Sequence, residues 1–487
     1  MDSLLLLCAR RIIAQHPLPT LPPHPFPVLF QVAFLDGRPL VLQNLVATWP
    51  FTELHFQRLV GQRELLRIHT RVDCIQAVIR GVVAQLQRGL EESSLDSSLR
   101  VLNMTGLPAG NTISFSTKAL AEACMEVSEH QQEFQRRRSK RHKGCSRAAT
   151  AVATLQPPGV DVHTDLSVNG DSYEILHDAL QVGADGPLRL KCREFEGERI
   201  SASKIVTLLE SLDPSCLRRV DLRFNDLGLT GLLKILPHLS RFPELRSLKL
   251  QHSNVHLQHL TPESAMRIRC VAKQLGMLPR LQELNLRSSR LSWNLHKILC
   301  DLQAPLESLE LASCSLVPAD LDFLSQSFHA PALKRLDLSD HDFSQSQGLL
   351  EPLQHLLEET SASLLHLDLL ECHMADSHLK VLLPTLLRCS RLRFLGLYGN
   401  SLSMAMLKDL LQKTLELPDL HLVVYPFPVD CYKRVPPGPW WKLLVEDKEL
   451  FAAAKAEFSQ ILANSGRTNL DWTCTPLDCR ALDYFSL

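Results

Sequence analysis

The chain has 487 residues, 45% of them hydrophobic, with 52 Lys plus Arg against 53 Asp plus Glu and a formal net charge of −1. Such a length supports several ordinary domains or one elongated repeat array, and the balanced charge excludes a global field that would draw the molecule to nucleic acid or an anionic membrane. The 14 cysteines show no paired spacing, and no apolar run approaches the ~18 residues of a membrane-spanning helix.

The first predicted element is SLLLLCARRI, Ser3 to Ile12. Its apolar run stops after Ala9 at Arg10 and Arg11, with no basic side chain before it. That argues against an export signal and for reduced thiols in a cytoplasmic, or also nuclear, protein. Leu4, Cys8 and Ile12 drift only ~40° per step on a helix and form one apolar stripe. A decoy with the same spacing, SLDPSCLRRV from Ser211 to Val220, crosses Pro214 into a predicted strand, so the spacing alone discriminates little. After Pro17 comes FPVLFQVAF, in which Pro27 suits a first helical turn and Phe30 and Phe34 share a face. The plainer alternative for both segments is two core helices capping a larger fold.

Residues 37–187 read as an N-terminal helical capping region with a degenerate repeat at Leu99 and a mobile basic loop over about 133–160. The loop's run Arg136, Arg137, Arg138, Lys140, Arg141, Lys143 fits a nuclear-localisation signal or a nucleic-acid patch. Charge runs in loops are more often simply solvated, and no aromatic residues are interleaved for base stacking. No nucleic-acid or membrane partner is expected.

From Leu217 the row LRRVDLRFNDL fits L-x-x-L-x-L-x-x-N-x-L, and the frame returns from Leu245, Leu281, Leu306, Leu333, Leu364 and Leu392, with a worn copy from Leu417. The fold class expected is α/β: a leucine-rich repeat solenoid, or horseshoe, over residues 188–427, with a parallel concave sheet, outer helices and a C-terminal cap over 428–487. The ladder position holds Asn225, Ser253, Ser289, Cys314, His341, Cys372, Asn400 and Tyr425. Most of these can satisfy turn backbone groups, but His341 and Tyr425 fit less well. On the concave face Glu310, Asp337 and Asp368 are expected to form an acidic ridge beside the apolar residues Leu370, Phe394 and Tyr398, a surface suited to a basic amphipathic helix. Two L-x-x-L-L strings, Leu353 to Leu357 and Leu379 to Leu383, fall on outer helices whose leucines must face the core. No G-x-S-x-G, phosphate-binding loop, H-E-x-x-H or paired C-x-x-C occurs, and Asp340-His341-Asp342 falls in a turn where polar residues are ordinary. Neither catalysis, nor a cofactor, nor a metal is expected.

SLLLLCARRI resembles the BC box, S/T-L-x-x-x-C-x-x-x-φ, by which substrate receptors insert a helix into elongin C, and FPVLFQVAF resembles the cullin-2 box that follows it in such receptors. With VLQNLVATWPF, LRFLGLYGNSLSM and VVYPFPVDCY, these segments make the chain similar to the PRAME-type leucine-rich family. That resemblance implies a non-enzymatic substrate-recognition subunit of a cullin-2 RING ubiquitin ligase. In it, residues 1–36 form the docking segment: Leu4, Cys8 and Ile12 would contact elongin B/C, Phe26, Pro27, Phe30 and Phe34 would contact cullin-2, and the repeats would hold a protein substrate. The resemblance also implies an alternative, a stoichiometric negative regulator of Toll-like receptor and NF-κB signalling that binds IκB kinase β and disrupts its complex.

Overall fold

Short leucine-framed strands alternate with amphipathic helices along most of the chain, and the two periods together build parallel sheet on one side and helices on the other. A computed structural model describes residues 4–15, 19–61, 71–91, 98–108, 110–142, 159–184, 186–255, 261–344, 347–434 and 444–474. They fall into two units, Met1–Asp221 with Arg241–Leu245 and Leu222–Ser240 with Arg246–Leu487.

The first unit runs α1 (Leu4–Ile13), α2 (Phe26–Leu35), α3 (Pro39–Ala47), β1 (Glu53–His55), α4 (Phe56–Val60), α5 (Val72–Glu91), β2 (Val101–Asn103), α6 (Asn111–His142), β3 (Val160–Val168), α7 (Tyr173–Gly183), β4 (Leu188–Gly197), α8 (Ala202–Ser211) and β5 (Arg219–Asp221). Its five strands pair in chain order and in parallel. Parallel strands therefore begin at residue 53, well before residue 188, and the degenerate copy at Leu99 supplies β2 of the same sheet. Residues 133–142, expected in a loop, continue α6 instead. QRRRSKRH contains no Gly or Pro, its Arg, Lys and Gln are good helix formers, and cations at a helix C-terminus suit the dipole. Arg137 pairs with Glu133 one turn back at 3.2 Å. The rest of the expected loop, 143–158, lies outside the described residues.

The second unit continues with α9 (Gly228–Leu239), β6 (Ser247–Lys249), α10 (Pro262–Gly276), β7 (Glu283–Asn285), α11 (Leu295–Leu299), β8 (Ser308–Glu310), α12 (Pro318–Gln326), β9 (Arg335–Asp337), α13 (Gln347–Thr360), β10 (His366–Asp368), α14 (Asp376–Arg388), β11 (Phe394–Gly396), α15 (Met404–Thr414) and β12 (Leu422–Val424). Strands β6 to β12 again pair in order and in parallel. An antiparallel pair, β13 (Tyr432–Arg434) with β14 (Leu444–Glu446), precedes α16 (Lys448–Ser465) and β15 (Asp471–Thr473). β15 lies parallel to β12, so the C-terminal cap adds one more strand to the sheet. After α16, the Arg467 guanidinium donates to the carbonyls of Leu415, Leu417 and Leu420 at 2.8–2.9 Å, closing the end of the preceding turn.

The first seven repeats turn on one conformation. The residue before the ladder position has positive φ in Phe224, His252, Ser288, Ser313, Asp340 and Glu371, and the seventh repeat uses glycine there, Gly399 at φ 76°. Non-glycine side chains tolerate this left-handed geometry because the turn is pinned from both sides. Asn225 Nδ2 donates to the Leu222 carbonyl at 2.8 Å, and Asn400 Nδ2 donates to Leu397 at 2.7 Å and Leu369 at 2.8 Å. Cys314 and Cys372 donate to carbonyls of the preceding repeat, Leu286 and Leu338. His341, which fitted the pattern poorly as sequence, makes the asparagine's bond, with its Nδ1 2.9 Å from the Leu338 carbonyl.

Candidate docking and recognition surfaces

α1 distributes its side chains in an unusual way. Ala9 and Ile13 face the unit and are buried, whereas Leu4, Leu5 and Leu7 are 79%, 61% and 53% exposed and Cys8 is exposed beside them. At 100° per residue the buried pair is centred almost opposite Leu4 and Cys8. A helix folding only for its own unit would turn its largest apolar side chains inward; this one shows three leucines to solvent. Ile12 is half-buried at the border of the stripe. The orientation is also held by Arg10, whose Nε and Nη2 reach the two carboxylate oxygens of Asp36 at 3.1 and 3.4 Å. Sequence spacing identified Leu4, Cys8 and Ile12; the contribution of Leu5 and Leu7 and the Arg10–Asp36 fork needed three dimensions.

α2 behaves differently. Phe26, Phe30 and Phe34 are buried, the last two almost completely. Phe30 meets Trp49 edge-on at 5.8 Å and Phe56 at 5.6 Å, Phe34 also meets Phe56 at 5.6 Å, and Phe26 meets Trp49 at 5.9 Å. These rings are the core of the N-terminal region, and Pro27 is half-buried at its edge. The phenylalanines expected to contact cullin-2 thus coincide with the inward face of the helix.

On the concave face of the second unit the expected acidic ridge is absent. Glu310, Asp337 and Asp368 are aligned across β8, β9 and β10, but all three are buried and compensated. Asn285 Nδ2 donates to Glu310 Oε2 at 2.7 Å, and Arg335 lies 3.6 Å from its other oxygen. Arg287 stands 3.7 Å from Asp337, and His366 Nε2 is 2.7 Å from Asp368 Oδ2. Burial pushes the carboxyls of Glu310 and Asp337 up; Arg335 opposes this at Glu310, while at Asp337 the neighbouring Asp368 adds to it against Arg287. Alternation alone placed these residues outward, but neighbouring parallel strands stand only ~4.8 Å apart, so short carboxylates sink among longer neighbours. Phe394 is also not exposed: its ring stacks on His366 at 4.0 Å and is buried. Leu370 and Tyr398 are half-exposed, as expected. Opposite Asp368 the strand carries Gly396, where a Cβ would collide with the Asp368 carboxylate.

The L-x-x-L-L leucines Leu353, Leu356, Leu357, Leu379, Leu382 and Leu383 are all core. Asp340 accepts from the Ser313 hydroxyl at 2.6 Å and Asp342 from Ser344, ordinary turn bonds on either side of the buried His341. Among the described residues no group of three or more His, Cys, Asp or Glu could hold a metal ion, and no helix is long and apolar enough to cross a membrane.

Comparison with known proteins agrees with this architecture. Residues 6–105 match the family model for the PRAME N-terminal domain and residues 178–481 that for the PRAME C-terminal domain. The chain is 42% identical, over the full length of both chains, to leucine-rich repeat-containing protein 14 of Xenopus laevis and of Homo sapiens. It is 30% identical to PRAME family member 8 of Homo sapiens, covering 85% of this chain and 82% of that one. Among solved structures, a yeast complex of Rad7 and Elc1 aligns over 87% of this chain and 93% of its own with 14% identity and a TM-score of 0.41.

Proposed function

The chain belongs to the PRAME family of leucine-rich repeat proteins, and on that premise we propose that it is a non-enzymatic adaptor whose first helix docks elongin B/C and whose repeats hold a protein substrate for ubiquitin transfer by a cullin-2 RING ligase. The observation that carries the reading is the outward stripe of α1: Leu4, Leu5, Leu7 and Cys8 face solvent while the helix seats itself on Ala9 and Ile13. Exposed leucines clustered on one terminal helix fit insertion into a partner's apolar groove, with Leu4 and Cys8 one turn apart as anchors. The BC-box resemblance assigns that groove to elongin C.

For cullin-2, the side chains that α2 leaves at least partly accessible are Pro27, Val28, Gln31 and Leu35. Phe30 and Phe34 serve by holding the platform from which α1 projects. Replacing Leu4 and Cys8 together by serine tests the adaptor reading. Elongin C should fail to co-purify with the full chain, a drop of about thirtyfold or more in affinity for two central anchors. Undiminished co-purification would overturn the reading.

A further inference from the structure

Several outer helices of the second unit end as the helix dipole favours: α9, α10, α14 and α15 carry His238, Lys273, Arg388 and Lys413 in their last turns. α12 and α13 carry no basic residue there. α13 instead finishes on Glu358, Glu359 and Thr360, and two carboxylates at the negative end of a helix weaken it. The ends of α12 and α13 meet at a surface cavity of about 660 Å³, lined among others by Ser325 and Ser327 at the end of α12, by Phe328 just after it, and by His355, Glu358 and Glu359 of α13. Phe328 is 50% exposed, and its ring is tilted against buried His329 at a centroid distance of 4.2 Å, so it is held from one side and open on the other. His329 is itself fixed by the Leu306 amide, which donates to its Nδ1 at 3.1 Å. Arg388 stands 3.8 Å from one oxygen of Glu358. The neighbouring Glu359 is exposed and in no ion pair among the described residues.

The cavity thus joins an aromatic face, a carboxylate without a cation and the negative ends of two helices, and all three favour a positive charge. We propose that it takes the guanidinium of an arginine side chain presented by a protein segment. A guanidinium is planar and weakly hydrated, so it lies on the Phe328 ring while its N–H edge meets the Glu359 carboxylate as a two-pronged partner. An ammonium is a strongly hydrated point charge and gains less from an aromatic face open to water. The volume falls in the range that holds small ligands, about 300–1,000 Å³, which leaves room for the residues flanking the arginine. The site uses no residue of α1, so it goes beyond the adaptor reading and stands or falls separately from it.

Short peptides identical except at their central residue provide the probe. That residue is arginine, citrulline or lysine, and citrulline keeps the shape of arginine without its charge. Saturation-transfer NMR titrations with the full chain should show the arginine peptide binding about tenfold more tightly than the citrulline peptide, and more tightly than the lysine one, with the advantage over citrulline shrinking as salt rises. Phe328→Ala with Glu359→Gln should remove that advantage, and both side chains are exposed, so the fold should tolerate the change. Equal binding of the arginine and citrulline peptides overturns the proposal, and this comparison uses the unaltered chain, so it does not depend on any variant folding. A lysine peptide that binds as tightly as the arginine one overturns the assignment to a guanidinium. Free ethylguanidinium binding as tightly as the arginine peptide overturns the assignment to a protein segment.

Discussion

At the scale of single residues, His341 shows how a repeat accepts a substitute. Its Nδ1 makes the bond to Leu338 that Asn225 makes to Leu222, and the buried ring leaves Nε2 without a partner. Burial holds its pKa below the ordinary value of about 6.5, and His329, buried in the same way, shifts in the same direction. The folded state therefore keeps both rings neutral while the unfolded chain takes up protons, so their contribution is present above pH ~6.5 and is lost as pH falls through the lowered folded values. The raised carboxyls of Glu310 and Asp337 act oppositely: their contribution is present below the ordinary carboxylate range and lost as pH rises through it to the folded values. Urea midpoints of parent and variant at pH 7.5 and 5.5 isolate the histidine share. His341→Asn should match the parent within about 1 kcal/mol at pH 7.5 and lose less at pH 5.5, whereas His341→Ala should cost about 1–3 kcal/mol at both. An identical pH response in His341→Asn would contradict this assignment.

Among the elements, α1 and α2 are neighbours with opposite duties. The sequence spacing of Leu4, Cys8 and Ile12 marked a stripe, and the structure turns most of it to solvent; the spacing of Phe26, Phe30 and Phe34 marked a stripe too, and the structure turns it into the core. Periodicity reports that one face differs from the other but not which neighbour covers it, and the decoy at Ser211 to Val220 shows the same limit. Leu212 and Val220 there are buried in a turn and a strand. The different duties predict different energetics. Leu4→Ser should change stability by no more than about 0.5 kcal/mol, while Phe30→Ala, removing a ring that touches Trp49 and Phe56, should cost about 3–5 kcal/mol. Thermal or urea unfolding of the two variants checks the contrast, and a comparable loss in both would mean that α1 is core after all.

Across the whole molecule, the in-frame leucine rows from Leu217 to Leu392 were enough to read the repeats, because each row fixes a strand, a turn and the leucines beneath it. The earlier strands were harder to read: Glu53–His55 and Val160–Val168 carry no leucine frame and are strands because neighbours pair with them. The concave face was legible as a list of columns but not as a surface, since side-chain length decides which charges stay at the top, as Arg287 over Asp337 shows. Family membership, the repeat architecture and the outward α1 support the proposal that the molecule is held by its first helix while its repeats remain available to a partner. Amide hydrogen exchange of the full chain with and without elongin B/C tests it most directly. The account predicts added protection over Leu4 to Ile13 and unchanged exchange in strands β6 to β11; protection confined to the repeats, with α1 unaffected, would contradict it.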